Sequence, residues 1–199
     1  MKTELILLAA GQSTRFGGIK QLADIHGQPM ICHCLSQYRQ DKKWIGGISH
    51  GHVVLGSNAE LISLVLPNNI NKFVTKTWQN GMGHTLAESM QNLGRHTSHV
   101  LIGLADQASI TQQMIKMLLG KSSRYPQHII AAKYAGRVGA PSIFPRQYFT
   151  LLEQLSGDKG AKTILQQYSQ QVISVDMPEA ALDIDTQDDL QGIKTKLLQ

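Results

Sequence analysis

Cysteine is nearly absent: Cys32 and Cys34 are the only two in 199 residues. Two apart on one helix they point in different directions, so they do not pair easily. Buried thiols of a cytoplasmic chain are the reading. With His33 between them, "CHC" lacks the second ligand pair that a metal motif requires. Long apolar runs are missing too. The longest reach about six residues, against the ~20 needed to span a bilayer, so no membrane partner is expected. The run Leu5–Ala10 follows Lys2, but Thr3 and Glu4 interrupt its start. It is also shorter than the ~7–15-residue core of a secretion signal, which leaves an unprocessed chain. Charge is sparse at 17% of residues, and the net +5 is scattered, with "DKK" at 41–43 the densest run. No basic stripe interleaved with aromatics points to nucleic acid. Isolated cations beside glycines suit small phosphorylated ligands instead.

What is present is an alternation. Short apolar runs at 5–9, 52–55, 72–75, 100–104, 129–133, 141–144 and 172–176 read as strands. Helix-period segments between and after them, at 29–38, 58–66, 84–93, 111–119, 147–155, 161–168 and 186–197, read as helices. Pro29 suits a first helical position, and Ser57 and Asn58 suit caps of the second helix. This order predicts an α/β fold with a mostly parallel central sheet in a single domain, 1–199. The irregular stretches 79–83 and 135–141 read as loops crossing the sheet's carboxyl edge, where open α/β sheets bind ligands.

The first strand stops at Gly11, and a loop-like stretch of eleven residues, Gly11 to Gln21, precedes Leu22. They contain Gly11, Gly17, Gly18, Arg15 and Lys20. Glycines let successive N–H groups approach an anion, and the two cations would meet a triphosphate. Neither G-x-x-x-x-G-K-[ST] nor G-x-G-x-x-G is present, so a phosphate loop of another kind or a plain surface loop is left. Asp106 follows the apolar run "VLIGLA" and could be a Mg²⁺ ligand or a helix-capping turn residue. In "ALDIDTQDDL", Asp183 and Asp185 share one face of an extended segment. Thr186 reads as an N-cap with Asp188 and Asp189 in the first turn. Gly81 and Gly83 open a helix near His84. Trp78 is core or ligand platform, and Lys159 and Lys162 in "GDKGAK" could hold phosphate.

"LLAAGQSTRFGGIKQL" resembles the opening of the MobA/MocA-like nucleotidyltransferases, the molybdenum cofactor cytidylyltransferases above all. Their pattern is L-A-[AG]-G-x-S-x-R-[MF]-G-x-x-K, matched at Leu8, Ala9, Ala10, Gly11, Ser13, Arg15, Phe16, Gly17 and Lys20. "WQNGMGHTLAESM", "LIGLADQASIT", "GDKGAK" and "DIDTQDDL" extend the likeness in the same order. The resemblance implies a three-layer Rossmann-like fold. It also implies transfer of a nucleoside monophosphate to a phosphorylated acceptor, with release of pyrophosphate. An ionised phosphate oxygen needs no general base, so positioning and charge neutralisation carry the chemistry.

By this resemblance Arg15, Lys20 and Asp106 are catalytic. Leu8, Ala9, Ala10, Gly11, Ser13, Arg15, Lys20, Gly81 and Asp106 hold the nucleotide. Asp106 and Asp185 bind Mg²⁺, with Asp183 the alternative to Asp185, and His84, Lys159 and Lys162 face the acceptor. The chain departs from the family at Ala108, where proline is usual, and at Ala140, where His or Asn often precedes the proline. "LAAG" rather than "LAGG" implies CTP over GTP, while the likeness in "ADQ", "GDKGAK" and "DIDT" implies molybdopterin as acceptor, with a molybdoenzyme or its chaperone as protein partner. The alternatives are a GTP- or sugar-phosphate-specific transferase, and a non-catalytic nucleotide- or pterin-binding assembly factor.

Overall fold

The computed structural model describes residues 1–197. Seven strands form its central sheet: β1 (Thr3–Leu8), β2 (Ile48–Leu55), β3 (Asn71–Val74), β4 (His99–Leu104), β5 (Ile129–Tyr134), β6 (Arg137–Pro145) and β7 (Val172–Asp176). Their order across the sheet is β7-β5-β6-β4-β1-β2-β3. β1 lies parallel to both β2 and β4, β3 to β2, and β7 to β5. Only β6 runs antiparallel, to β4 and β5. The helices are α1 (Met30–Ser36), α2 (Ala59–Val65), α3 (Met82–Met90), α4 (Gln112–Arg124), α5 (Phe149–Glu153), α6 (Lys162–Gln167) and α7 (Gln187–Lys196).

The sheet is covered on both faces, and the sequence of β1 shows how. Its residues are buried throughout, which is the pattern of a central parallel strand. Leu5 and Leu7 join one core with Ile31 and Leu35 of α1, Ile62 of α2 and Ile115 and Leu118 of α4. Ile6 and Leu8, turned the other way by the strand's period of two, join Leu86 and Met90 of α3 and Leu152 of α5. A third, smaller cluster brings Phe16, Ala108 and Ile184 together under Leu190 and Ile193 of α7. These three neighbour Arg15, Asp106 and Asp185, so apolar packing fixes the spacing of the charged residues above it.

Three expectations change. The stretch 135–141 is not a loop across the sheet edge. Ala135 and Gly136, both at positive φ, make a tight turn that sends the chain straight into β6 at Arg137. The partly exposed start of that strand, "RVGA", masks its β character, since two of its four residues are small and only Pro141 onward is buried. Pro29 is the residue before the first turn of α1 rather than its first helical residue. Asn58 precedes α2 in the left-handed region and makes no side-chain cap. Two short two-stranded pieces, Asp24–Ile25 with Gln28–Pro29 and Arg39–Gln40 with Lys43–Trp44, carry no apolar alternation that would have announced them.

Candidate functional site

β1 and β4 end side by side and their exits open a cleft of about 350 Å³ at the carboxyl edge of the sheet. Leu8, Ala9, Ala10 and Gly11 line it from β1, Ala105 and Asp106 from β4, and Asp185 from the segment before α7. The loop after β1 is shaped from inside by Gln21, a buried residue. Its Nε2 donates to the carbonyls of Ala9 (3.1 Å) and Gly11 (3.0 Å), and its Oε1 accepts from the Ser13 hydroxyl. The N–H groups from Gly11 to Arg15 find no backbone acceptor among the described residues. A loop with its carbonyls engaged inward and its N–H groups free is chemically an anion site. Gln21 sits inside the quoted motif, yet nothing in sequence marks a neutral side chain as a brace.

The charged residues converge beside this loop. Lys20 Nζ donates to Asp106 Oδ2 (2.8 Å), Asp185 Oδ1 (3.0 Å) and the carbonyl of Ile184 (3.0 Å). Arg15 donates to the other oxygen of Asp185 at 2.7 Å. Burial alone would lower the Lys20 pKa, but the Asp106 and Asp185 carboxylates outweigh it and the net shift is upward. The two acidic segments are tied together directly, since the Ile184 N–H donates to the Asp106 carbonyl.

Asp106 does not cap α4. Thr111 does, its hydroxyl accepting from Met114 N–H. Asp189 takes the N–H groups of Asp185 and Thr186, closing a capping box that holds Asp185 in place. Ala108, where proline was expected, is buried, and its carbonyl is bonded to His33 Nε2 at 2.9 Å. A side chain from α1 thus restrains the turn that a proline ring would stiffen. His33 is accounted for by that contact and both cysteines are free thiols.

Asp183 points elsewhere. It does not line the cleft, and its Oδ1 is buried without a hydrogen-bond partner. Burial, then the charges of Asp106 and Asp185, push its carboxyl up to about 6. Among the described residues no three His, Cys, Asp or Glu side chains form a ready-made metal cage. Mg²⁺ needs none, since it binds through one or two carboxylates, waters and substrate phosphates. Asp106 and Asp185 supply hard oxygen donors already converging on one cation, and Asp106 Oδ1 is buried without a protein partner. The residues fit such an ion.

A second cavity of about 190 Å³ adjoins the first, sharing Leu8, Met82 and Leu104 with it. Its floor is apolar, and Arg137, Lys159 and Lys162 stand around it with Tyr134. Lys159 and Lys162 therefore share a wall, and Arg137 and Tyr134 join them from the hairpin that was expected to be loop. Ala140 lines the same cavity, and its carbonyl accepts from Gln107 Nε2.

The loop bearing the lysines is fastened to α3. Gly83 N–H donates to the Gly157 carbonyl (2.7 Å), and Gly157 N–H donates to His84 Nδ1 (3.0 Å). His84 is absent from the lining of both cavities and tethers the loop to α3 through Gly157. Gly81, at φ +102°, lies against Asp158 and Gly157, too close for any side chain. It lines neither cavity itself; its neighbours Trp78, Met82 and Asp158 line the larger one. Asp158 stands in the quoted "GDKGAK" but was hidden there by its two lysines.

Solved structures share this fold. Rv0371c from Mycobacterium tuberculosis H37Rv superposes with a TM-score of 0.82 at 24% identity, over 98% of this chain and 99% of that one. CMP:2-keto-3-deoxy-manno-octonic acid synthetase complexed with CTP gives 0.78 at 14% identity, over 100% and 99%. At these identities the likeness is one of fold. The Bifunctional protein GlmU of Chromohalobacter salexigens is 31% identical over 121 residues, 60% of this chain and 25% of that protein. The GlmU of Pseudomonas putida (strain GB-1) is 34% identical over 125 residues, 62% of this chain and 26% of that protein. The chain thus spans about a quarter of the length of these curated relatives. No helix among the described residues is long and apolar enough to cross a membrane. Residues 5–172 match the MobA-like NTP transferase domain, and the chain belongs to that family of nucleotidyltransferases.

Proposed function

We propose that this nucleotidyltransferase moves CMP from CTP to a phosphorylated small molecule, molybdopterin, with Mg²⁺ at Asp106 and Asp185 and pyrophosphate as leaving group. The observation that carries the reading is the convergence of Lys20, Arg15, Asp106 and Asp185 beside a loop of free N–H groups. The loop N–H groups, Arg15 and Lys20 bind the triphosphate and neutralise charge as it gathers on the departing pyrophosphate. Bound Mg²⁺ would supply further charge neutralisation at the phosphates.

The acceptor's phosphate oxygen forms a bond to the α-phosphorus as the bond to the β-phosphate oxygen breaks. The acceptor phosphate is ionised at neutral pH, so no protein base takes a proton. The chain's part is to hold the two reactants in line from adjoining cavities. Arg137, Lys159 and Lys162 suit the acceptor's phosphate, and the apolar floor suits a ring system better than a polyhydroxylated sugar. Ala10 is buried in the cleft wall, and its methyl group takes space that glycine would leave for a purine. The CTP complex of a protein with this fold supports the same donor. A structure of Rv0371c in complex with manganese supports a divalent ion.

The test is pyrophosphate release with Mg²⁺ for CTP, GTP and UTP against molybdopterin and sugar phosphates. CTP with molybdopterin should give the highest kcat/KM, and Asp106→Ala should abolish turnover while CTP binding changes much less. Turnover in no pairing, with nucleotide still bound, would leave a non-catalytic carrier instead. Normal turnover in the Asp106 variant would remove the metal assignment.

A further inference from the structure

The Lys20 ammonium sits where the carboxylates of Asp106 and Asp185 converge. Three oxygens from two segments meet it: Asp106 Oδ2, Asp185 Oδ1 and the Ile184 carbonyl, all within 3.0 Å. The side chain is only 11% exposed, unlike that of a loose surface pair. Arg15 takes the remaining oxygen of Asp185 from a side chain that is 73% exposed. Two positive charges therefore neutralise two carboxylates, and three of the four carboxylate oxygens have a protein donor. A divalent ion approaching the same carboxylates meets both cations and loses the ligands they hold.

A triphosphate changes that balance. It brings several negative charges to a loop whose N–H groups from Gly11 to Arg15 have no backbone acceptor among the described residues, and it competes for the two side chains that cover the acids. Lys20 opens a short turn at Lys20–Leu22, beside the loop, so its long side chain need only swing to follow the phosphates.

We propose that Lys20, assisted by Arg15, is a built-in counter-cation that keeps the carboxylate pair from binding a divalent ion until a nucleoside triphosphate draws it away. Metal and nucleotide then bind as a coupled pair, and the free protein holds metal weakly. The inference rests on the metal and triphosphate assignments above and adds an order of events to them. It also gives Lys20 two duties, one toward the carboxylates in the free protein and one toward phosphate in the complex.

Mn²⁺ binding, followed by electron paramagnetic resonance of the free ion, tests this without turnover. Wild-type protein should bind Mn²⁺ weakly alone. Non-hydrolysable α,β-methylene-CTP should tighten binding by about tenfold beyond the analogue's own affinity for Mn²⁺, within the range of couplings between linked sites. Lys20→Met should bind Mn²⁺ about tenfold more tightly than wild type without nucleotide, and should lose most of the enhancement by the analogue. Arg15→Gln, a change at an exposed side chain that does not threaten folding, should shift the free protein the same way by a few-fold. If the analogue enhances Mn²⁺ binding in wild type but neither variant tightens it in the free protein, the counter-cation role is wrong and the metal site stands. If the analogue brings no Mn²⁺ to the protein at all, the metal assignment itself fails.

Discussion

Gln21 has neither charge nor a place in the family pattern, yet every polar atom of its amide is used on the loop after β1. Removing it would leave the buried Ala9 carbonyl without its donor, a loss of about 1–3 kcal/mol, and would free the carbonyl of the more exposed Gly11 as well. Gln21→Met keeps length and shape but donates nothing. Because the loop, and not the reacting centre, would relax, KM for the triphosphate should rise about tenfold, equivalent to ~1.4 kcal/mol, with kcat changed much less. Steady-state kinetics with CTP varied decides it, and an unchanged KM would mean that the loop holds its shape without the brace.

The residue scale also shows what sequence can and cannot reveal. Arg15, Lys20 and Asp106 were visible because charge stands out against glycine and apolar neighbours. Gln21, Trp78 and Met82 were not assigned, since a neutral or apolar side chain looks the same in sequence whether it lines a cleft or fills a core. Between Asp183 and Asp185 the extended alternation gave no preference, and the family motif leaned to Asp185. In the fold Asp185 bonds Lys20, while the Oδ1 of the half-buried Asp183 has no hydrogen-bond partner.

At the scale of elements, all seven sheet strands and all seven helices were foreseeable, because each carries an apolar run or stripe, although β3 at the sheet edge buries none of its residues fully. Missing were the hairpin linking β5 to β6 and the short extended pieces, whose pairing is stabilised by backbone contacts without side-chain periodicity. The seam between α3 and residues 156–160 is of this backbone kind too. A Cβ at Gly83 would lie 2.6 Å from the Ser156 carbonyl oxygen and 2.8 Å from that of Gly157, so the loop must move. Gly83→Ala should therefore displace Asp158, Lys159 and Lys162, raising KM for the acceptor by about tenfold and more than KM for CTP. Gly120 in α4 is the contrast, since a Cβ there meets nothing within 4 Å. Gly120→Ala should leave kinetics alone and stabilise the protein by about 0.5–1 kcal/mol. Equal kinetic effects at the two glycines would refute the seam's role.

The whole molecule uses nearly its full length for one site, from Leu8 at the end of β1 to Asp185 before α7, so global stability and activity should be lost together. One term in that stability can be isolated by pH. His52 on β2 is 4% exposed, its Nε2 has no hydrogen-bond partner, and burial pushes its pKa down to about 4 despite the opposing pull of Glu4. In the unfolded chain it titrates near 6.5. Between those values the unfolded state holds a proton that the folded state refuses, so acidification favours unfolding. The loss begins as pH falls through ~6.5 and is complete below ~4, where it amounts to about 3 kcal/mol. His52→Leu keeps the site apolar and removes the titration. Urea unfolding of wild type and variant at intervals from pH 7.5 to 4 should show the variant gaining relative stability steadily below pH 6.5, while its difference from wild type stays constant above pH 7. Taking the difference cancels the carboxylates and the other histidines common to both proteins. A difference that does not change with pH would mean that His52 accepts its proton in the folded state as readily as in the unfolded one.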